Sequence, residues 1–391
     1  MKMLSLDLIM LSDFGPSAGG RETWACNFIP LLLRMNRDVR VSIYGLSKAG
    51  IDNSTYILDG VDVNDRERVK LVFFKEPNKK RCPLFFYMLI QLRRYARSKD
   101  FKQADILLGV GVLSEMLLML FAFRPKCSKS ILWLRSIFCS EKANRVPRFL
   151  LPFLRWAEIF FLKKADIMLA NGDDIMSYYK QYGLKVDVIK NGVDRQKWAM
   201  PLPEFKLPLK IAFVGRLAKA KGIEEFLHVA QKIKKDRYNK ELEFHVVGDG
   251  PFLNLVKKLA DDGVLIYHGV VENKQVKKYL AMFDVCVALT FSAKINGGGG
   301  TSNALLEQMA AGRAIIAWDN EHFRQLLNDD SAYFVRQGNT DELVQVMYNV
   351  IEDVPRAITK SKLVASEVLK YSLERQMNKF ALVLSKYGIE V

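Results

Sequence analysis

Short apolar runs of strand type alternate with helical stretches along the whole chain, and this alternation restricts the possible folds more than any other feature. It predicts parallel sheets covered by helices, because a parallel crossover is usually made by a helix. Thirteen runs have the length and apolar character of buried strands. They are Ser5–Met10, Arg40–Tyr44, Val69–Phe74, Ile106–Val110, Ser130–Leu134, Ile167–Ala170, Val186–Ile189, Lys210–Val214, Glu243–Val247, Leu265–His268, Val285–Leu289, Ala314–Ala317 and Ala332–Val335.

The runs form two similar sets, separated by the proline-rich segment MPLPEFKLP at residues 200–208. Prolines favour an extended linker, and 391 residues suffice for two or three domains. We therefore predict an α/β protein with two Rossmann-like, doubly wound domains. The first covers residues 1–200 and the second covers residues 201–365. A final helix, at 366–391, is expected to pack back on the first domain.

Positive charge is concentrated in the first half of the chain. Residues 1–200 hold 33 Lys and Arg against 20 Asp and Glu, a net of +13 out of the chain's +16. Two stretches, residues 79–102 and 145–164, combine basic residues with aromatic ones. This pattern is typical of helices in a membrane interface, and core helices with solvated ends are the alternative. The prediction is an anionic membrane surface as a partner.

Neither a membrane span nor a secretory signal is expected. The longest apolar stretch, Ala104–Phe123, contains Asp105, Glu115 and two glycines, which favour a strand, a turn and a buried helix. The N-terminal MKMLSLDLIML has no small-residue cleavage site and resembles a first buried strand. Five cysteines without metal-like spacing fit a reducing cytosol.

The segment SAKINGGGGTSNALLEQMAAGRAIIAW, residues 292–318, is the sharpest motif of the chain. A run of glycines leads into capping residues and a helix, whose free N–H groups favour a phosphate or sugar hydroxyls. Glu307, in the second turn, has the position to accept hydrogen bonds from a vicinal diol such as ribose. The candidate donor-binding residues in this segment are Gly299, Gly300, Thr301, Ser302, Asn303 and Glu307.

Turns after other strands add smaller candidates. In IAFVGRLAKAKG, Gly215 allows a turn, and Arg216 and Lys221 stand where a diphosphate could be held at the sheet edge. HVVGDGP contains Gly248, FGPSAGGRETW ends its loop with Gly19 and Gly20, and VIKNGVD closes a strand with Asn-Gly. Such turns occur in any α/β protein, so each is ambiguous alone.

In their order along the chain, these segments resemble the retaining glycosyltransferases of the GT-B fold, in the large family 4 group of lipopolysaccharide, capsule and exopolysaccharide type. The order is the Gly-Gly loop, NGVD, VGRL with Lys-Gly following, VVGDGP, HGVV and the glycine-rich loop before LLEQMAAGRAIIA. The resemblance spans essentially the whole chain and implies two domains facing a central cleft. It also implies that Arg216 and Lys221 hold the nucleotide diphosphate and that Glu307 binds its ribose.

Two departures from that family stand out. Its usual pair of glutamates is incomplete, because Gly299 stands where the first should be. The family often places a histidine of the first domain against the donor sugar, but all four histidines here lie in the second half. Arg135, after the strand SILWL, takes roughly that place. We interpret the strand histidines His245 and His268 as structural.

The resemblance thus implies a retaining hexosyl-type glycosyltransferase. It would move a sugar from a nucleotide-diphosphate sugar to a hydroxyl of a growing bacterial glycan, with a polyprenyl-diphosphate-linked acceptor as the expected form. The expected catalytic residues are Arg216, Lys221 and Arg135. The expected donor-binding residues are Gly19, Gly20, Gly215, Arg216, Lys221, Gly248, Gly299, Gly300, Thr301, Ser302, Asn303 and Glu307.

No metal or other cofactor is expected, and the enzyme is expected in the cytoplasm, on the inner face of the cell membrane. A nucleotide-sugar 2-epimerase of related fold is the closest alternative. A basic nucleic-acid-binding protein would also explain the charge, although we expect no nucleic-acid partner. An inactive scaffold remains open because of Gly299. The GVGVLSE run, residues 109–115, lacks the third glycine of a dinucleotide site.

Overall fold

Two parallel sheets, of seven and six strands, form the centres of two units of the chain. The computed structural model describes residues 3–15, 19–47, 54–77, 83–123, 129–142, 146–292 and 299–390. The first unit comprises residues 1–191 and 373–391, and the second comprises residues 192–372.

The first unit alternates strands and helices over most of its length. Its elements are β1 Leu4–Asp13, α1 Gly20–Met35, β2 Val39–Ser47, α2 Ser54–Leu58, β3 Val69–Lys75, α3 Leu84–Tyr95, β4 Ile106–Gly111, α4 Leu113–Leu118, β5 Lys129–Leu134, α5 Phe138–Lys142, α6 Leu151–Leu162, β6 Ile167–Ala170, α7 Asp173–Lys180 and β7 Asp187–Val188. A π-helical turn, Met119–Phe123, continues α4, and a 3₁₀ turn, Arg148–Leu150, precedes α6.

The second unit repeats the alternation and is followed by a last helix of the first unit. Its elements are α8 Arg195–Trp198, β8 Leu209–Val214, α9 Ile223–Ile233, β9 Leu242–Val247, α10 Leu253–Asp261, β10 Ile266–Tyr267, α11 Val276–Leu280, β11 Val285–Ala288, α12 Asn303–Ala310, β12 Ala314–Asp319, α13 Glu321–Arg324, β13 Tyr333–Arg336, α14 Thr340–Glu352 and α15 Val354–Glu367. The last helix, α16, spans Leu373–Ser385.

Both sheets are doubly wound. The first has the order β3-β2-β1-β4-β5-β6-β7, the second has the order β10-β9-β8-β11-β12-β13, and every described pairing of these strands is parallel. The strand order reverses between β1 and β4 in the first sheet and between β8 and β11 in the second. The predicted fold class is confirmed, and each of the thirteen predicted runs overlaps an observed strand.

The linker MPLPEFKLP packs as part of the second unit, so the units divide at 191/192 and 372/373, rather than at the predicted 200/201 and 365/366. Phe205 is buried in the core of the second unit. The buried guanidinium of Arg313 donates hydrogen bonds to the carbonyl oxygens of Pro201 and Phe283, at 2.5 and 2.9 Å. These contacts make the segment an integral part of that unit.

The C-terminal helical pattern is interrupted near residue 372. A 3₁₀ turn, Val368–Tyr371, follows α15, and the backbone of Ser372 is extended before α16 begins. Helix α16 packs against α1, with the ring of Phe380 5.1 Å from that of Phe28 and 5.6 Å from that of Trp133. The last helix therefore completes the core of the first unit.

The longest apolar stretch forms β4, α4 and the π-helical turn, as the interpretation of Ala104–Phe123 predicts. Strand β4 is buried along its whole length. Within the ranges that the structure describes, every helix is too short or too polar to cross a membrane.

Candidate functional site

The carboxyl ends of β8 and β11 lie side by side where the strand order of the second sheet reverses. In doubly wound sheets, ligands bind in the crevice at this point. The segment after β8 contains Gly215 and Arg216 and continues into a 3₁₀ turn, Lys219–Lys221. The segment after β11 starts near Thr290 and leads through the glycine-rich loop to α12. The topology thus brings the two sharpest motifs of the sequence to neighbouring strand ends.

Two cations, Lys221 and Arg216, occupy the end of β8. The Lys221 ammonium lies 3.4 Å from the Thr290 hydroxyl oxygen and can donate a hydrogen bond to it. Burial and, secondarily, the charge of Arg216 lower the pKa of Lys221. Neither cation forms an ion pair with a carboxylate of the described residues. Two neighbouring cations without an acid partner favour an anionic ligand.

Glycines let the turns after β8 and β9 pack against each other. Gly215 and Gly248 have φ angles of +151° and +138°, a backbone conformation that residues with a side chain rarely adopt. A Cβ atom on Gly248 would lie 1.9 Å from the carbonyl oxygen of Gly215. The N–H of Gly248 donates to the carbonyl of Gly269, and the Tyr267 hydroxyl donates to the carbonyl of Gly248, each at 3.0 Å. These contacts fix the turns around Arg216.

Replacing Gly248 by alanine should lower the stability of the second unit by on the order of 3 kcal/mol, because the added methyl collides with backbone. Gly263→Ala is the matched control. Its φ is +67°, but the methyl would meet open space, so a loss of about 1–2 kcal/mol is expected. Urea denaturation of the two variants checks the difference. Equal losses would contradict the role of close packing.

Helix α12 begins directly after the glycine-rich loop. Ser302 caps it, with its hydroxyl accepting a hydrogen bond from the N–H of Leu305 at 3.3 Å. Gly300 has a φ of +79°, and Thr301 is buried. Gly299 and Asn303 lie in the described part of the chain, whereas residues 293–298 of the loop lie outside it. The cap satisfies one N–H group of the first turn, and the helix dipole favours an anion at this end.

Glu307 is partly buried on α12, and α12 packs against α8. Burial raises the pKa of Glu307 to about 7, and the positive charge of Lys197 on α8 opposes this rise. The carboxylate therefore titrates near neutral pH. Such a perturbed acid is typical of a ligand-binding position.

Asn320 and Gln337 were not predicted as site residues, although they connect the segments at the carboxyl edge of the second sheet. Asn320 donates from its amide to the carbonyl of Thr290 at 3.1 Å and to the side-chain oxygen of Gln337 at 2.7 Å. That oxygen also accepts a hydrogen bond from the N–H of Ser292 at 2.9 Å. The segments after β11, β12 and β13 are thereby joined. The one sequence signal was Asn320 as a capping residue before a helix.

In the first unit, helix α1 begins where the strand order reverses between β1 and β4. Gly19 is its N-cap and supplies no side-chain cap, and Gly20 is its first residue. The carboxylate of Glu22 folds back to this end, so that a Cβ on Gly19 would lie 3.1 Å from its oxygen. The predicted Gly19 and Gly20 thus lie at the end of the helix that attracts anions.

Glu115 explains Gly111 of the GVGVLSE run. A Cβ on Gly111 would lie 2.2 Å from the carboxyl carbon of Glu115. The buried carboxylate accepts hydrogen bonds from the N–H of Val112 at 3.1 Å and the hydroxyl of Ser114 at 2.6 Å, and forms an ion pair with Arg21 at 2.8 Å. Gly111 therefore makes room for an internal acid, in agreement with the rejection of a dinucleotide site.

Arg135 follows β5 and is buried. Its N–H donates to the carbonyl of Gly111 at 3.0 Å. The guanidinium carbon lies 5.0 Å from the ring centre of Trp24 and 5.9 Å from that of Trp133. Burial and, secondarily, the charge of Arg21 lower the pKa of Arg135 to about 9. The residue remains a cation at neutral pH and stands at the carboxyl edge of the first sheet.

The histidines on strand β9 and beside β10 pack on each other. The rings of His245 and His268 are stacked, with 2.9 Å between Nδ1 of the first and Nε2 of the second, and His245 Nε2 lies 2.7 Å from Glu243. Burial lowers the pKa of His245 to about 4. Among the described residues, no group of His, Cys, Asp or Glu has the arrangement of a metal site.

A cavity of about 430 Å³ lies elsewhere in the second unit. Its lining includes Tyr333, Asn349, Arg356 and Lys360. Tyr333 begins β13, so the cavity is at the amino edge of the sheet, opposite the edge that carries Arg216 and Lys221. It is not part of the candidate site.

Comparison with known proteins agrees with this geometry. Residues 18–197 match the family model described as Glycosyltransferase Family 4, and residues 208–353 match that described as glycosyl transferases group 1. The chain belongs to the GT-B-type glycosyltransferases. This confirms the coarser part of the predicted resemblance and disfavours a nucleic-acid-binding protein or an epimerase.

Individual relatives of this GT-B chain are distant. The glycosyltransferase MJ1069 of Methanocaldococcus jannaschii is 27% identical over 209 residues, and the amylovoran biosynthesis glycosyltransferase AmsK of Erwinia amylovora is 22% identical over 203. The matched region spans about half the length of each relative and 49% of this chain. The structure of Anabaena HepE in complex with UDP has a TM-score of 0.71 at 15% identity, over 98% of this chain and 100% of HepE.

Proposed function

We propose that this chain transfers a sugar from a nucleotide-diphosphate sugar to a hydroxyl of a growing, lipid-linked bacterial glycan, with retention of anomeric configuration. The observation that carries the proposal is the pair of cations Arg216 and Lys221, which have no described acid partner and lie where the second sheet reverses its strand order. The complex of the similarly folded HepE with UDP supports a nucleotide as the ligand.

The proposed donor site combines side-chain charge with backbone N–H groups. Arg216 and Lys221 bind the diphosphate, and Glu307 accepts hydrogen bonds from the ribose hydroxyls. The tight turns at Gly215 and Gly248 let a ligand approach the backbone closely. The first turn of α12 and its loop, from Gly299 to Asn303, complete the site in the second unit. Gly19 and Gly20 are proposed as donor contacts of the first unit.

The proposed reaction breaks the bond between the anomeric carbon and the diphosphate oxygen. The electron pair of that bond leaves with the diphosphate, whose growing charge Arg216 and Lys221 stabilise. The acceptor hydroxyl oxygen attacks on the same face, and its proton passes to the departing phosphate oxygen. The two cations neutralise the leaving group in this scheme, so the proposal requires no metal. Retention follows because the departing and attacking oxygens use one face.

The acceptor is proposed to reach the enzyme at a membrane. The surface of α6 and its preceding turn carries a row of exposed aromatic rings at helical spacing, which we call the aromatic stripe: Phe149, Phe153, Trp156 and Phe160. The rings of Phe153 and Trp156 are 5.8 Å apart, and the Lys164 ammonium lies 5.1 Å from the ring of Phe160. Large exposed apolar surfaces mark interaction sites. Aromatic rings with a cationic rim suit an anionic membrane interface.

Helix α3 carries further exposed apolar and basic residues. Both α3 and α6 pack against α4, and α3 exposes Phe86 and Ile90 close in sequence to Arg93 and Arg94. Each cation near an anionic leaflet contributes on the order of 1 kcal/mol. Residues 79–82 and 145 of the predicted membrane stretches lie outside the described residues. We propose reversible attachment of a cytoplasmic enzyme to the inner face of the cell membrane.

A thermal-shift screen of UDP-, GDP-, ADP- and dTDP-sugars tests the proposed function. A bound donor is expected to raise the melting temperature, because it binds the folded state only. The stabilising donor is then incubated with and without a lipid-linked glycan, and the products are analysed. Transfer with retained configuration supports the proposal. Conversion of the nucleotide sugar without any acceptor would identify an epimerase. If none of the nucleotide sugars raises the melting temperature, the proposed donor site is contradicted.

The titration of Glu307 gives a second test. With a pKa of about 7, the ionised fraction rises from about a tenth to about nine tenths between pH 6 and pH 8, so nucleotide affinity should rise nearly tenfold. Glu307→Gln should bind weakly and without this pH dependence. Calorimetry at several pH values measures both. An unchanged pH profile in the variant would exclude Glu307 as the titrating ligand.

Stability should respond in the opposite sense. The folded pKa of Glu307 exceeds the ordinary value of 4.5, so its contribution to stability is complete below about pH 4.5 and is lost as the pH rises through about 7. Glu307→Gln should therefore melt at a higher temperature than the natural protein at pH 8, with the difference declining towards pH 5. This control separates lost binding from lost folding.

A further inference from the structure

Arg135 is a buried cation that forms no ion pair with a carboxylate in the described part of the protein. Its side chain is 9% exposed, and its Nη1 atom has no hydrogen-bond partner among the described residues. The rings of Trp24 and Trp133 lie beside it, with centres 5.0 and 5.9 Å from the guanidinium carbon. Burying an unpaired charge is costly, so proteins retain one mainly where a ligand or partner completes it.

The nearby acids are engaged elsewhere. The carboxylate of Glu115 pairs with Arg21 and accepts two further hydrogen bonds. The negative charge of Glu22 favours the charged form of Arg135 and so raises its pKa, but the Glu22 carboxylate folds back to Gly19 at the start of α1. Neither acid lies within 4 Å of the Arg135 guanidinium, whose other close charge, Arg21, is also positive. The cation therefore keeps its capacity to bind an anion.

Other groups around Arg135 are also donors. Helix α1 has 16 residues, and the positive end of its dipole lies at its first turn. Arg21 and Glu22, which act on the charge of Arg135, belong to that turn. The indole N–H groups of Trp24 and Trp133 have no hydrogen-bond partners among the described residues either. These unpaired donors favour a ligand with acceptor atoms.

We propose that Arg135, beside the start of α1, binds an oxyanion carried by one of the two substrates, either a carboxylate on the transferred sugar or a phosphate on the acceptor. The inference rests on the proposed function and specifies its substrate class. The planar fork of N–H groups on a guanidinium matches the geometry of both oxyanions. An uncharged substrate would leave the buried cation unpaired, so the site selects against it.

Whether the oxyanion belongs to the transferred sugar is tested with UDP-glucuronate against UDP-glucose, which lacks the carboxylate. Calorimetry on the natural protein should show at least about tenfold tighter binding of UDP-glucuronate. Arg135→Gln should abolish the preference while leaving UDP affinity intact. Arg135→Lys should retain part of the preference, because lysine keeps the positive charge but lacks the paired N–H donors of a guanidinium. Arg336→Gln, at a side chain 80% exposed, is the matched control and should keep the full preference.

Whether the oxyanion belongs to the acceptor is tested with farnesyl phosphate against farnesol, both in the same detergent. The fluorescence of the tryptophans beside Arg135 reports binding. A preference for the phosphate that Arg135→Gln removes assigns the site to the acceptor. The proposal is overturned if Arg135→Gln folds normally and binds all four probes as the natural protein does.

Failure of the proposed function would look different. In that case none of the four nucleotide sugars of the thermal-shift screen would bind, and D-glucuronate against D-glucose would still probe Arg135 by fluorescence. Equal responses to the two sugars and to the two farnesyl probes would then overturn the oxyanion site.

Discussion

Replacing Lys221 by alanine is expected to lower the rate of sugar transfer about 100- to 1,000-fold, because the variant loses a charge-assisted contact to the leaving diphosphate. Lys221 is largely surrounded by protein, and Arg216 already disfavours its positive charge. A diphosphate would relieve this repulsion between the two cations. Binding of the donor should weaken as well, and steady-state kinetics with calorimetry measure both effects.

Lys219→Ala provides the matched control. Lys219 begins the same 3₁₀ turn, but its side chain is 77% exposed and pairs with Glu224 at 3.2 Å. Exposed ion pairs contribute little, so transfer should change by less than about threefold. If Lys219→Ala and Lys221→Ala have equal effects, or if Lys221→Ala is fully active, the placement of the diphosphate at the end of β8 is wrong.

The double substitution Phe153→Ser and Trp156→Ser should weaken binding to anionic vesicles about 100-fold. The two rings are 66% and 61% exposed, so inserting them into the interface would remove apolar surface worth about 3 kcal/mol in total from water. Sedimentation with vesicles of anionic lipid measures the partition. High salt should weaken the binding of the natural protein, because the basic rim contributes through charge.

The control changes two exposed apolar residues of the second unit, Leu255→Ser and Met282→Ser, which are 40% and 42% exposed. These substitutions should leave vesicle binding unchanged. Equal recruitment of the natural protein to neutral and anionic vesicles would contradict the electrostatic part of the proposal. Unaltered binding after loss of the two rings would contradict the aromatic stripe as the contact surface.

The strands could be predicted because most of them are buried on both faces. Strands such as β4 and β12 are then nearly continuous apolar runs, and their spacing by helices requires parallel pairing. Even the two-residue strand β10 lies within the predicted run Leu265–His268. The candidate donor residues of the second unit could be named for a related reason, since they follow β8, β9 and β11, whose carboxyl ends the topology places at one edge of that sheet.

Contacts between distant segments could not be predicted. Asn320 meets Thr290 and Gln337 only because three strands are adjacent, and nothing local in the sequence specifies those partners. The pairing of Arg21 with Glu115 joins residues 94 positions apart. The helix break at Ser372 was also missed, because no proline or glycine marks it. There the N–H of Val193 donates to the carbonyl of Tyr371, a long-range contact that sequence periodicity does not show.

The assignment of α16 to the first unit has a consequence for biosynthesis. Phe380 belongs to the ring cluster of Trp24, Phe28 and Trp133, so the first unit lacks part of its core until residue 380 has left the ribosome. By then the whole second unit has emerged and can already be folded. The part of the protein that is made first is thus finished last, and until then its nascent chain displays unfilled apolar surface to chaperones.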